Sequence, residues 1–426
     1  MANELNDSEK GADKDKIDAD EIKIDAEKVE MKVENFTGPY ESGSTDCFQD
    51  LRKKLKRLQG QFISLTLSGC CDSIQGSVFR VDKGSVILTG DFGTRIVPIC
   101  AISSIDACRV YAYVTNSGTL DNLGNTVSVI NTATDTVVKT ITVGNAPNGV
   151  TITPNGTSVY VANQFDDTVS VITTTNNQVI ATIKVGDRPL SVGFTPDGTL
   201  AYVTNFADSS VSVIDTESNT VIDTIQVVSL PFGIAIGNTP AGTRAYVANS
   251  GDNSVSVIDV NPNSPTFNTV LATIPVGASP IDLEITPDGT SVYVTNALDD
   301  TVSVIDTATN TVITIQVGVG PAGVGIGLTP VGTRVYVLNS GDNTISVIDA
   351  DPDSPTFNTV ITTITKGVGN SPSDADLTPD GRKVYVPNNL SNNVSVIDTT
   401  TNTIITSIPV GNLPNAVAVG QVCSMI

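Results

Sequence analysis

One four-residue pattern, Tyr-Val-x-Asn, returns seven times in this chain, at Tyr113, Tyr160, Tyr202, Tyr246, Tyr293, Tyr336 and Tyr385, with 42 to 49 residues between successive copies. A repeat of that length is one supersecondary block that cannot bury its apolar face alone, so it gains a core only by stacking on its neighbours. Each copy is followed by a V-S-V-I run, starting at Val127, Val169, Val211, Val255, Val302, Ile345 and Val394, whose strict alternation of β-branched residues suits a pleated strand. A T-V-I-x-T-I-x-V-G run comes third. The fourth, P-x-G-V-x-I-T-P-D-G, ends in a tight turn such as Pro154-Asn155-Gly156, Pro196-Asp197-Gly198 or Pro287-Asp288-Gly289. Four strands per repeat is the content of one propeller blade, and seven repeats make a ring.

These strands, YVTN, YVAN and YVLN followed by VSVID and a T-V-G-x-x-P stretch, resemble the YVTN-type β-propeller repeat family. The resemblance implies an all-β, seven-bladed β-propeller. The family includes surface-layer proteins and lactonase-like propellers, so it implies the fold firmly and an activity hardly at all.

The repeats also indicate how the ring closes. Nothing before Arg109 resembles the P-x-G-V-x-I strand, whereas Pro414-Asn-Ala-Val-Ala-Val-Gly420 has no Tyr strand after it. The C-terminal strand is therefore expected to pair beside the first Tyr strand and complete blade 1, removing the open edges of an unclosed ring. Aligning the repeats puts Cys423 where Gly156 sits and Cys108 where Asn155 sits, so a Cys108–Cys423 disulfide is a candidate staple for that closure; the alternative is two free thiols in a reducing compartment. The other cysteines, Cys47, Cys70, Cys71 and Cys100, form no C-x-x-C pattern, and their connectivity cannot be read from spacing.

Three regions follow. Residues 1–46 carry 14 acids against 6 lysines in low-complexity strings and are expected to be a disordered acidic arm. Residues 47–107 are expected to form a small α+β domain, with a helix marked by Leu51, Leu55 and Leu58, then strands at FISLTL, SVFRV, SVIL and RIVPICAISSI. Their strand spacing resembles Sm-like small barrels, although no RNA-binding motif of that family can be matched. Residues 108–426 are the propeller.

Charge and composition restrict the chemistry. The chain has no histidine, which removes imidazole bases, His-bound zinc and the Ser-His-Asp mechanism. Its formal net charge of −22 argues against nucleic acid and anionic membrane surfaces as partners. The N-terminal residues contain no signal-peptide core and no run is apolar enough for a spanning helix, which points to synthesis in the cytoplasm and a place there or on a surface or coat layer.

A residue that recurs in every blade reads as structural, as do the Asn that ends each Tyr strand and the Asp three residues after it, such as Asp166 and Asp208. Function is sought where one blade departs from the rest. On the inner strands, two positions that are small or neutral in five blades become Asp282 and Glu284 in blade 5 and Asp374 and Asp376 in blade 7. Side chains of this kind at a channel need a bound cation, raised pKa values or water; hard oxygen donors would favour Ca²⁺ or Mg²⁺. Two insertions, Asp259-Val-Asn-Pro-Asn263 and Asp349-Ala-Asp-Pro-Asp353, open like a calcium loop. They have Ser264 and Ser354 where such a loop needs Gly, and Val270 and Val360 where it needs Glu, so they read as Pro-rich turns.

The leading expectation is a non-enzymatic scaffold that presents loops for protein binding at a surface or coat layer, with self-assembly through the N-terminal domain; no catalytic residue is assigned. The alternative is a metal-dependent hydrolase of lactones or sugars that uses the channel carboxylates.

Overall fold

A computed structural model describes residues 102–425, and the backbone of four strands before them, at 62–67, 73–81, 85–90 and 93–98; side chains are described for 109–422. The expected acidic arm, the Leu51–Leu58 helix and Cys47, Cys70, Cys71 and Cys100 lie outside the described residues. The fold is an all-β propeller of seven blades. In blade 2 the strands run outward from the axis as Pro147–Ile152, Ser158–Asn163, Thr168–Thr173 and Gln178–Lys184, each antiparallel to the next, and the other blades repeat this order. No helix among the described residues is long and apolar enough to cross a membrane.

Strands β1 (Phe62–Leu67), β2 (Ser73–Val81), β3 (Ser85–Gly90) and β4 (Gly93–Pro98) form a meander that ends on β5 (Ile102–Thr119). β5 is one continuous strand across the border expected at residues 107 and 108. Its first half pairs with β1, and its second half is the Tyr strand of blade 1, followed by β6 (Asn122–Asn131) and β7 (Thr136–Thr142). The turns between β1 and β4 lie outside the described residues, and the resemblance to an Sm-like barrel is not confirmed. The ring closes through its last strand: Pro414–Met425 pairs antiparallel with β5, setting Val417 opposite Val114, Ala418 opposite Tyr113 and Cys423 opposite Cys108.

The repeat signature has a specific mechanical meaning. All seven repeat tyrosines are fully buried between blades, and six reach into the next blade through the hydroxyl. Tyr113 donates to Asn177 Oδ1, Tyr160 to Asn219 and Tyr202 to Asn268, each at 2.7 Å. Tyr293 donates to Asn358, Tyr336 to Asn402, and Tyr385 to Asp135 across the closing interface. Every acceptor sits at positive φ, between 51° and 58°, in the hairpin joining the third and fourth strands. Asn and Asp tolerate that left-handed conformation better than other non-glycine residues, so one residue both makes the turn and receives the neighbouring blade.

The repeat Asn works inside its own blade. Asn205 Nδ2 donates to the hydroxyls of Ser210 (3.0 Å) and Ser212 (2.9 Å), and Asn163, Asn249, Asn296 and Asn339 make the same pair of bonds to Ser or Thr on the following strand. The Gly that ends the T-I-x-V-G run lies against this amide: a Cβ on Gly186 would stand 2.6 Å from Asn205. The Asn of YVTN and the Ser of VSVID are thus two ends of one buried contact.

The two insertions form turns around a buried ion pair. Asp259 accepts from Arg244 at 2.7 Å and from the Ser264 and Thr266 hydroxyls; Asp349 does the same with Arg334, Ser354 and Thr356. Arginine supplies the positive charge that a calcium loop would take from an ion.

Two substitutions measure these contacts through the urea midpoint. Tyr160→Phe removes one inter-blade hydrogen bond and is expected to cost about 1 kcal/mol. Asn205→Ala strips two buried hydroxyls of their donor and is expected to cost about 2 kcal/mol or more.

Candidate functional site

The inner strands of all seven blades converge on a well of about 420 Å³ around the propeller axis. Convergence explains the small residues there. A Cβ placed on Gly149 would come within 2.5 Å of the Leu190 carbonyl in the next blade, and one on Gly323 within 2.3 Å of the Ser373 carbonyl. Strands so close to the axis have no fifth strand to pair with, so their inward N–H and C=O groups need side-chain partners. Thr151 provides one, donating from its hydroxyl to the Val192 carbonyl at 2.6 Å.

Asp282, Glu284, Asp374 and Asp376 all line this well. Three of them meet the same need from the acceptor side. Asp282 Oδ2 accepts the Val324 N–H of blade 6 at 3.0 Å, while Asp374 and Asp376 accept the Val417 and Val419 N–H groups of the closing strand at 2.9 and 2.6 Å. The carboxylates in blade 7 therefore help to hold the closing strand. That stretch of blade 7 is also the least regular inner strand, reduced to Asp376–Leu377 and a separate bridge from Pro372 to Asn388.

Enclosure by the ring sets the electrostatics. Burial raises the pKa of Asp376 to about 7, against the N–H bonds from Val419 and Leu377, and the charge of Asp374 adds to the rise. Asp282 is raised further, by burial and then by Asp374; Asp374 is raised least, because its burial is opposed by the Val417 and Ala375 N–H groups and no neighbouring charge adds to it. Glu284 is open to the water of the well but surrounded by protein. Burial, then the charges of Asp282, Asp376 and Asp374, push it well above the ordinary range, with no hydrogen bond to offset them. No Lys or Arg lines the well to neutralise the group. Within the well Glu284 is thus pushed strongly toward its protonated form, while Asp374 is the carboxyl raised least.

The fit to a divalent ion is poor. Among the described residues, no three of His, Cys, Asp and Glu stand together as a metal-ligand group. Three of the four carboxylates already accept backbone N–H groups, which takes up oxygens that a cation would need.

Sequence reasoning singled out the four carboxylates by their departure from the repeat, and missed that three of them bridge inner strands. It also missed the ion pair at the closing interface. Lys383 Nζ lies 2.7 Å from Asp135 and 2.9 Å from the Thr132 carbonyl, and Tyr385 donates to the same Asp135. The signal was present: Asp135 stands where most other blades carry Asn, and Lys383 stands where blades 2 and 5 carry Ser.

Two family models match the chain: one described as lactonase, 7-bladed beta-propeller, over residues 173–313 and 307–405, and one described as YNCE-like beta-propeller, over residues 94–216. No curated protein matches. Among solved structures, hydrazine synthase of Kuenenia stuttgartiensis is similar at 24% identity, with a TM-score of 0.56, over 70% of this chain and 92% of that one. A protein of Bacteroides uniformis described as a proposed 6-phosphogluconolactonase is similar at 17% identity and TM-score 0.61, over 73% and 99%. A protein of unknown function from Desulfotomaculum acetoxidans reaches TM-score 0.63 at 18% identity, over 73% and 98%. At these identities the likeness is one of fold.

The raised carboxyls make stability depend on pH. Their folded-state pKa values lie above the unfolded carboxyl range of about 4, so the native chain holds protons that the unfolded chain has released. The cluster's contribution is fully present below that unfolded range and is lost as the pH rises through the folded values, about 7 for Asp376. With no histidine in the chain, few other groups titrate in this window. The urea midpoint is expected to fall between pH 5 and 8.5, and Asp282→Asn to flatten that slope.

Proposed function

Since the chain belongs to the seven-bladed lactonase β-propeller family, we propose that its axial well hydrolyses a small, neutral lactone by carboxyl acid–base chemistry. The observation that carries this reading is four carboxyls in one enclosed well, three of them bonded to backbone N–H groups and Glu284 free of such bonds, with Glu284 raised well above the ordinary range and Asp374 raised least. Two carboxyls whose surroundings push their pKa values apart divide naturally into acid and base. Asp374 takes a proton from water as the water oxygen attacks the lactone carbonyl. Glu284 gives its proton to the ring oxygen as the acyl C–O bond breaks, and a hydroxy acid results. A proton passed from Asp374 to Glu284 through the water of the well resets the site.

The charge of the well restricts the substrate. With four carboxyls and no lining cation, it disfavours a phosphorylated or carboxylated lactone and suits a neutral sugar lactone, whose hydroxyls donate to carboxylate oxygens. The hydroxy acid product is an anion, and the same field favours its release.

A second reading, a scaffold without catalysis, is favoured by one observation. The oxygens of Asp282, Asp374 and Asp376 are engaged by Val324, Val417 and Val419 N–H groups, so their task is structural in that case. Hydrolysis of glucono-1,5-lactone, followed as acid release above the buffer rate, separates the two. The lactonase reading expects acceleration with the neutral lactone and much less with its 6-phosphate. Glu284→Gln should lower kcat by about 10²-fold or more while the urea midpoint stays near that of the parent. No acceleration by the parent chain, or equal rates for the parent and Glu284→Gln, would overturn it.

A further inference from the structure

We infer that Cys108 and Cys423 form a disulfide that locks the closed ring, so that closure of this propeller is under redox control. The inference is independent of the chemistry in the well. It rests on register. The closing strand Pro414–Met425 continues past the inner-strand length of the other blades and sets Cys423 directly opposite Cys108 on β5. In blades 2, 3 and 5 the chain turns at this place: Thr153 N–H donates to the Ser158 carbonyl, Thr195 to Leu200 and Thr286 to Ser291, closing the hairpin between the first and second strands. Blade 1 has no such turn, because its first two strands come from opposite ends of the chain. A covalent link there would restore the connection that the other blades have through the backbone.

The kind of pair also fits. In an antiparallel ladder, hydrogen-bonded and non-hydrogen-bonded pairs alternate. The Thr153–Ser158 bond fixes the parity: Thr151 opposite Tyr160, two residues away, is a hydrogen-bonded pair, and its equivalent in blade 1 is Ala418 opposite Tyr113. Cys423 lies five residues beyond Ala418, an odd step, so Cys423 opposite Cys108 is a non-hydrogen-bonded pair. Such pairs have Cα atoms about 4.5 Å apart, inside the range of about 4.4 to 6.8 Å that a disulfide spans. No strand needs to move, and no ladder hydrogen bond runs between the two residues.

The reaction needs a disulfide-bearing oxidant, such as glutathione disulfide. The thiolate of one cysteine attacks it and expels one glutathione thiolate. The second cysteine thiolate then attacks the mixed disulfide and expels the other, so the protein loses two protons and two electrons and two molecules of glutathione are reduced. The bond closes a loop between residues 315 apart in sequence, long enough for the crosslink to restrict the unfolded chain strongly.

The test uses the full chain. It is equilibrated in glutathione buffers of graded poise, quenched in acid, alkylated and mapped by mass spectrometry without reduction. Trypsin alone leaves Cys100 and Cys108 in one peptide, residues 96–109, so a second protease that cuts before Asp106 is needed to separate them. The expected result is a peptide carrying Cys108 joined to one carrying Cys423, lost in Cys423→Ser. The urea midpoint should be higher in oxidising than in reducing buffer for the parent chain, and the difference should shrink in Cys108→Ser and Cys423→Ser. Alkylated Cys108 and Cys423 in the folded chain under oxidising buffer, or Cys423 joined instead to Cys47, Cys70, Cys71 or Cys100, would overturn the inference. Mapping of the parent chain decides the question even if a serine variant fails to fold.

Discussion

The contact on which this ring depends is the reach of a buried tyrosine into the next blade. Packing of β-branched residues between sheets is nonspecific; it holds blades together without fixing how many surround the axis or at what stagger. The hydroxyl of Tyr160, at 2.7 Å from Asn219, adds a directional requirement, since the acceptor must be a short side chain on a left-handed residue of the neighbouring outer hairpin. That requirement recurs between six pairs of blades and ties the buried second strand of one blade to the outer hairpin of the next. A shift of one blade against another would break the bond and leave a buried phenol unpaired, which costs more than the bond contributes. The junction that closes the circle is one of these six, and there Asp135 replaces Asn, so the same tyrosine contact gains an ion pair from Lys383. Among the described residues this is the one junction between blades that carries a salt bridge.

At the axis the constraint has the opposite character. Inner strands approach until glycine is the residue that fits, as at Gly149 and Gly323, and their inward backbone groups lack a ladder. Threonine hydroxyls cap carbonyls and aspartate oxygens cap N–H groups, so carboxylates are admitted to the centre for structural reasons. Once there, they stand in an enclosed well with no cation, and protonation is the way the cluster limits its own repulsion. Chemistry and architecture then draw on the same atoms: the bonds from Val417 and Val419 that hold the closing strand also oppose the rise of Asp374 and Asp376, as the Val324 N–H opposes that of Asp282. Glu284 alone is free of that structural duty.

Most of the fold was legible because repetition averages out local ambiguity. Any single V-S-V-I run is compatible with several settings, but seven in phase with a Tyr strand, four of them also with a Pro-Asp-Gly or Pro-Asn-Gly turn, leave one architecture, and the missing strand before Arg109 leaves one way to close it. The carboxylates were legible for the same reason, as departures from a template. What the sequence hid were partners that depend on the angle between blades. Asn219 lies 59 residues from Tyr160, and nothing local marks it as an acceptor. Likewise the aspartates read as free ligands because the N–H groups they accept belong to strands about one repeat further on. The failed calcium loops were rejected on Ser264 and Val270; the positive reason, Arg244 at Asp259, required the hairpin to be folded.

Closure removes the edges at the ends of the chain but leaves seven outer strands exposed at the rim, and these carry a device of their own. In six blades the register between third and fourth strands slips by one residue, leaving Val138, Ile180, Ile222, Leu271, Ile361 or Ile405 as the extra residue of a bulge. All six are exposed, up to 58% for Ile180, so burial does not account for them. A bulge twists an edge and interrupts its row of donors and acceptors, which makes it a poor template for another strand. Blade 5 has no slip: its outer strand, Val312–Gln316, is shorter by the bulge residue and pairs evenly with the strand inside it. Five residues offer few groups to a partner, so a short edge achieves by length what the other blades achieve by shape. The apolar character of these rim strands is then a consequence of needing β-branched residues that hold an extended edge, while the bulge, or brevity, limits what that edge can attract.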